Sequence, residues 1–263
     1  LTEPDIQDMF YINLDKDRER RESMERQLSS LGLCYERMQA VYGRELSQET
    51  LQECYSRKRV FRCQSRELTF AEIGIALSHI NIYRRIIDQN IPCALVLEDD
   101  VIFPDRFGEA INDLEPLVGV DRPEVLLLSP ATADFGQPGK IRTSGEYQAV
   151  PFVSGFYASS YIVTRSAAES LLKELYPLSM YADNWNRLKT FKVVDIYVIS
   201  PCLLEQDREQ FGSATDADHR PFPNLFAKLI YKLRRTRCVI LDIFAAAWRR
   251  KYHPYNDVLK INR

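Results

Sequence analysis

The stretch Leu95-Val96-Leu97-Glu98-Asp99-Asp100-Val101, an apolar run that breaks off into three adjacent carboxylates, constrains this chain more than any other. Set between Pro92 and Pro104, the run predicts a buried strand of a largely parallel sheet. The acids then stand at the strand's carboxyl end, where open α/β sheets bind their ligands. Three like charges in a row repel one another unless a cation or several donors compensate. Oxygen donors of this kind suit a hard divalent ion, Mg2+ or Mn2+, that bridges to a substrate phosphate. Alternate side chains of a strand share a face, so Glu98 and Asp100 would converge on the ion while Asp99 points elsewhere. A solvated acidic turn after a core strand would have the same composition.

Around this run, strand-like and helix-like segments alternate. Met9 to Leu14 reads as a first strand, and Asp17 to Leu31 as a helix with Met24, Leu28 and Leu31 at helical spacing and Gly32 as its stop. Thr69-Phe70-Ala71-Glu72 has the form of a capping box opening a helix to about Gln89. Cys93 to Leu97, Val125 to Ser129, Tyr157 to Thr164 and Val193 to Ile199 read as further strands. Ser166-Ala167-Ala168-Glu169 predicts a second capping box, for a helix ending near Leu175. The alternation predicts an α/β sandwich with a mainly parallel central sheet. Residues 130–150, with Gly136, Pro138, Gly139 and Gly145, read as a mobile loop or hairpin. Leaving the sheet at the acidic edge, it is expected to close over the ligand with Phe135 as an apolar contact.

At 263 residues with a formal net charge of -2, the chain gives no global electrostatic reason to bind nucleic acid. Its cysteines, Cys34, Cys54, Cys63, Cys93, Cys202 and Cys238, show no C-x-x-C pair and read as the scattered thiols of an intracellular protein. No apolar stretch approaches the ~20 residues of a membrane span, and none has the form of a signal peptide.

Taken in order, Phe10 to Asp15 with Arg18 and Arg21, then Gly43, then Glu72 to His79, then Leu97 to Val101 resemble the successive motifs of glycosyltransferase family 25. The similarity continues through Tyr161 to Arg165 and Pro201 to Gln206, so it covers roughly residues 9–213. It implies a GT-A type fold, a nucleotide-sugar donor, usually UDP-galactose, and transfer with inversion. It also implies a metal on Glu98 and Asp100, which would stabilise the charge developing on the leaving diphosphate. Asp99 would then face the ribose or sugar hydroxyls of the donor.

Ile12, Asn13 and Leu14 would offer backbone groups to the base, with Arg18 or Arg21 reaching phosphate, although both arginines also fit a solvated mixed-charge helix face. Ser78 and His79 would orient the acidic strand end or the donor sugar, or serve as satisfied core groups. Inversion needs a base opposite the leaving group, and Asp183, in Tyr181-Ala182-Asp183-Asn184-Trp185, is the candidate. Tyr181 and Trp185 would offer aromatic faces to an acceptor sugar; the alternative is an N-cap aspartate before a core tryptophan. Glu205, Asp207 and Glu209, then Asp216, Asp218 and His219, compete for roles. By analogy with related folds His219 would complete the metal shell, the alternative being a polar loop. Gln206 resembles a family position in the donor site.

Residues 225–252 carry eight lysines and arginines against the single acid Asp242, interleaved with apolar residues. That pattern describes an interfacial helix on an anionic membrane, or a helical pair packed on the remainder. The organisation expected is a catalytic domain over 1–222 and a basic amphipathic tail over 223–263. The activity expected is metal-dependent, inverting transfer of galactose from UDP-galactose to a bacterial surface glycan, a lipopolysaccharide core or O-unit, by a cytoplasmic enzyme peripheral on the inner membrane. The rivals are a UDP-glucose or UDP-N-acetylhexosamine donor, a metal-dependent phosphohydrolase, and a non-catalytic nucleotide-binding scaffold.

Overall fold

A computed structural model of the chain describes residues 8–64 and 66–207, together with 225–226, 229–230, 232–233 and 252–253. The elements run β1 (Met9–Asn13), α1 (Arg18–Ser30), β2 (Glu36–Gln39), α2 (Gln48–Cys54), α3 (Arg57–Gln64), α4 (Phe70–Asp88), β3 (Cys93–Glu98), β4 (Val101–Ile102), α5 (Phe107–Leu114) and β5 (Glu124–Leu127). They continue with β6 (Thr132–Asp134), β7 (Arg142–Ser144), β8 (Tyr147–Ser154), β9 (Ser160–Thr164), α6 (Arg165–Leu175), α7 (Trp185–Thr190), β10 (Asp195–Ser200), β11 (Glu205–Gln206) and β12 (Tyr252–His253).

The sheet is ordered β12-β6-β8-β10-β5-β9-β3-β1-β2, with β7 against β8. β2, β1 and β3 are mutually parallel, as are β5 and β10, while β9 runs antiparallel between β3 and β5. The sheet is therefore mixed, parallel in two blocks that β9 joins. Both faces of β3 are buried, which is why its sequence shows no polar alternation. Ala94 and Val96 pack into the core beneath α4 and α6, whereas Cys93, Leu95 and Leu97 pack into the opposite core with Met24 and Leu28 of α1.

Local sequence explains the helix that matters most. Thr69 caps α4 by accepting the Glu72 N–H, and the Glu72 carboxylate accepts the Thr69 N–H, a complete capping box. Arg66 clamps the same carboxylate. Ahead of α6 the expected box is displaced: Thr164, the last residue of β9, is the cap and accepts the Ala167 N–H.

Two glycines let α4 approach the preceding segment. A Cβ on Gly43 would overlap the Phe70 carbonyl, and one on Gly74 would overlap the Val41 carbonyl. Ser78 fastens that crossing: its hydroxyl accepts the Val41 N–H and donates to the Gly74 carbonyl, both at 2.8 Å.

Of the mobile loop or hairpin expected over residues 130–150, the structure has the hairpin, β7 against β8. Short strands β6 and β7 lie here, both paired with β8, and buried Ala131, Ala133 and Ala149 seat the segment in the sheet. The glycine and proline signals belong to turns between these strands: Gly145, at φ +54°, turns β7 into β8, and Asp134 accepts the Gly136 N–H and a Gln137 amide. Phe135 packs against the core.

Candidate active site

The three acids do not continue the strand's alternation. β3 ends at Glu98, and Asp99 and Asp100 form the turn into β4. Glu98 continues the face of Ala94 and Val96 and so meets α4, where the Nε2 of the fully buried His79 lies 3.6 Å from its Oε1. Asp99 falls on the opposite side, toward α1: Asn13 donates to its Oδ2 at 2.6 Å and Arg20 to its Oδ1 at 2.9 Å. Asp100 is approached by Arg20 at 3.8 Å and by the Gln206 amide at 3.2 Å, and its carbonyl accepts the Asp207 N–H. β11, paired with β4, thus brings Gln206 to the acidic turn.

One guanidinium among three carboxylates leaves negative charge uncompensated. Burial and the charge of Glu98 push the Asp100 carboxyl up to about 7, and burial also raises Asp99 against the pull of Asn13 and Arg20. Among the described residues no three His, Cys, Asp or Glu side chains are grouped to hold an ion. Glu98 and Asp100, two hard-oxygen donors with an unmet charge, still fit a divalent cation whose other positions a substrate phosphate and water would fill.

A second wall is built around Tyr157, whose backbone sits at φ +90°, a region a tyrosine rarely adopts. Two contacts hold it there. Its N–H donates to Asp183 Oδ2 at 3.0 Å, and its carbonyl accepts the Trp185 indole N–H at 2.9 Å. Burial raises the Asp183 carboxyl above its ordinary value, and the charge of Glu98 adds to the rise. Glu98, His79 and Asp183 are linked through short connections: His79 faces Glu98, and the Glu98 N–H donates at 2.7 Å to the Ser159 carbonyl, two residues beyond the Tyr157 that Asp183 holds.

The profile of Glycosyltransferase family 25 (LPS biosynthesis protein) matches residues 6–185, the span that holds all three. The chain belongs to glycosyltransferase family 25. Procollagen galactosyltransferase 1-B of Xenopus laevis is 35% identical over 117 residues, 41% of this chain and 19% of that protein. A glycosyltransferase 25 family member of Drosophila melanogaster is 39% identical over 104 residues, 38% and 17% of the two chains. One of Anopheles gambiae is 29% identical over 178 residues, 65% and 29%. The chain therefore spans less than a third of the length of these relatives.

Several residues expected to touch ligand are otherwise engaged in this family 25 chain. Trp185 is fully buried, edge-on to Tyr161, so its ring shapes the Tyr157 turn and offers no open face to a sugar. Tyr181 is partly exposed beside it. Asp183 precedes the N-cap of α7, which is Asn184. Ser78 is spent on the Gly43–Gly74 crossing.

Ile12 lies in the core and pairs with both β2 and β3, and the Asn13 and Leu14 carbonyls accept the Ala40 and Asp17 N–H groups. The Asn13 side chain is held by Arg37, Asp99 and the Asp17 carbonyl. Both carbonyls thus already have a partner within the protein. Arg18 is exposed and Arg21 half-buried. The arginine that meets the acids is Arg20, which the sequence reading passed over. Its signal was present, since Arg20, Met24 and Leu28 recur every four residues on the buried face of α1. His219, with Glu209, Asp216 and Asp218, lies outside the described residues, as does most of the basic tail.

Proposed function

We propose that the chain transfers galactose from UDP-galactose, with inversion, to a hydroxyl of a surface glycan. The observation that carries this reading is the linkage of Asp183 to Glu98 and His79 at the carboxyl end of β3. Burial raises the Asp183 carboxyl above its ordinary value, which makes it a stronger proton acceptor than a solvated aspartate. It would take the proton of the acceptor hydroxyl as that oxygen bonds to the anomeric carbon. The bond from that carbon to the diphosphate oxygen breaks, and its electron pair leaves with UDP. Glu98 and Asp100 would hold Mn2+ or Mg2+, which supplies electrostatic stabilisation of the departing phosphate. Asn13 and Arg20 fix Asp99 beside it.

A galactose donor is supported by the names of the relatives in Xenopus, and a lipopolysaccharide-type acceptor by the family's description. The word procollagen in the same relatives favours a second reading, in which a hydroxyl on a peptide accepts the sugar. Membrane contact through residues 223–263, separate from a catalytic domain over 1–222, is part of the first reading. In support, Leu225, Phe226, Leu229 and Leu233 are exposed at helical spacing within the basic segment. No helix among the described residues is long and apolar enough to cross a membrane. A donor panel with Mn2+, scored for both UDP release and new glycoside on extracted glycolipid and on procollagen-derived peptide, tests the proposal. Free sugar in step with UDP would instead mark a hydrolase.

A further inference from the structure

His79 is linked through its other ring nitrogen to two tyrosines that take no part in the chemistry above. Its Nδ1 lies 2.7 Å from the Tyr161 hydroxyl, which lies 3.1 Å from the Tyr83 hydroxyl. All three side chains are fully buried, and the Tyr161 ring is wedged between the imidazole and Trp185. Among the described residues Tyr161 is the one hydrogen-bond partner of the Tyr83 hydroxyl, and His79 Nε2 has none.

Each phenol carries one proton and a neutral imidazole carries one, so an unbroken relay has two possible directions, and any arrangement in which Tyr161 accepts from both neighbours leaves its own proton unmet. If Nδ1 held the proton, His79 would donate to Tyr161 and Tyr161 to Tyr83. The Tyr83 proton would then be buried without an acceptor, and the bare Nε2 lone pair would face the Glu98 carboxylate. In the other direction Tyr83 donates to Tyr161, Tyr161 donates to Nδ1, and the Nε2 proton points at Glu98 Oε1. Only the second direction gives both phenol protons an acceptor and turns an N–H rather than a lone pair toward the Glu98 carboxylate, and an unmet buried donor costs about 1–3 kcal/mol.

We infer that Tyr83 and Tyr161 lock His79 in its Nε2–H tautomer, making it a fixed donor that orients the Glu98 carboxylate toward the ligand side of the acidic turn. His79, Tyr161 and Tyr83 are positioning residues on this account, and the part concerning a cation rests on the proposed donor site. The alignment is preorganised: the proton is already directed at Glu98 before any ligand arrives, which is what a positioning group contributes to a metal or phosphate site.

Nitrogen-15 NMR of histidine-labelled protein reads the tautomer directly. The sequence has three histidines, so the H219Q/H253Q chain reports His79 alone. The expected spectrum has Nε2 protonated and Nδ1 bare. Glu98→Gln should move the Nε2 signal, and Tyr161→Phe should release the ring to a mixture of tautomers. A protonated Nδ1 in the parent chain, or an Nε2 signal indifferent to Glu98→Gln, would overturn the inference.

Mn2+ binding followed by electron paramagnetic resonance adds a functional readout. Tyr161→Phe and His79→Leu should weaken it about tenfold or more, as loss of an outer-shell partner does. His79→Gln, whose amide can still donate toward Glu98, should stay near the parent. Equal affinities in all of these chains would also count against the inference. No Mn2+ binding in the parent would remove the cation reading alone, leaving the Glu98→Gln spectrum to decide the relay.

Discussion

Asn13 Nδ2 lies 2.6 Å from Asp99 Oδ2, joining the end of β1 to the turn after β3. The same side chain accepts from Arg37 Nε at 3.0 Å and donates to the Asp17 carbonyl at 3.1 Å, and it is buried. Every polar atom of this amide is used inside the protein. Asn13→Ala should therefore cost about 2–3 kcal/mol, since it strands buried partners on both sides. Urea unfolding measures the loss, and UDP affinity should fall with it as Asp99 loses its tether.

Arg20 is the cation nearest Asp99 and Asp100, so removing it leaves the acidic turn to repel itself. Arg20→Ala should destabilise the ligand-free chain by about 2 kcal/mol. If a divalent ion binds Glu98 and Asp100, millimolar Mn2+ should narrow the difference between variant and parent. Thermal melts with and without Mn2+ check this, and a gap that Mn2+ leaves unchanged would argue against an ion at this turn.

The Asp100 carboxyl, pushed up to about 7 by burial and the charge of Glu98, makes the turn pH-sensitive. The folded chain holds this proton more tightly than the unfolded one, whose carboxyl titrates near its ordinary value of 3.8. The group's contribution to stability therefore falls as pH rises from about 4 through about 7, where the unfolded state has lost the proton first. Asp100→Asn should remove that slope and make the ligand-free chain relatively more stable above pH 7. Mn2+ competes with the same proton, so its affinity should rise over the same window.

How much of this could be read from the chain differs by element. The β3 run was legible because both faces of the strand are buried, and the capping box at Thr69 because its partners are three residues apart. Where Glu98 points followed from period two. The position of Asp100 did not: the strand ends one residue earlier, and only the pairing of β11 with β4 brings Gln206 across. For Trp185 the sequence left a sugar-facing ring and a core ring both open, and the core reading holds, because adjacency to Asp183 says nothing about the Tyr161 ring beneath it. In residues 130–150 the turn residues left loop and hairpin both open, because the short strands there are placed only by pairing with β8.

Asp183→Asn should keep the acceptor for the Tyr157 N–H while removing the base. The melting temperature should hold, and kcat should fall about 10²- to 10⁴-fold. Steady-state kinetics on the best donor and acceptor would show this, with the donor KM little changed. Retained kcat would move the base elsewhere, with Glu98 the nearest carboxylate.

Gly74→Ala tests the crossing under α4. The new methyl would overlap the Val41 carbonyl, backbone that cannot rotate away. The expected result is a loss above about 3 kcal/mol or failure to fold. Gly139→Ala meets no atom within 4 Å and serves as the control.

The reversed strand β9 has a bearing on how such a chain can diversify. Because it runs against β3 and β5, its first residue rather than its last meets the acidic edge, and residues 155–159, which carry the Tyr157 turn, are anchored by β8 behind and β9 ahead. A segment pinned at both ends can be exchanged between family members without shifting strand register. If the donor binds along β1, β3 and α1 as proposed, its selection would pass through such a graft intact. On the proposed function the choice of what receives the sugar would then be separable from the choice of what supplies it, and a chimera exchanging 155–159 together with 181–184 would put that to the test.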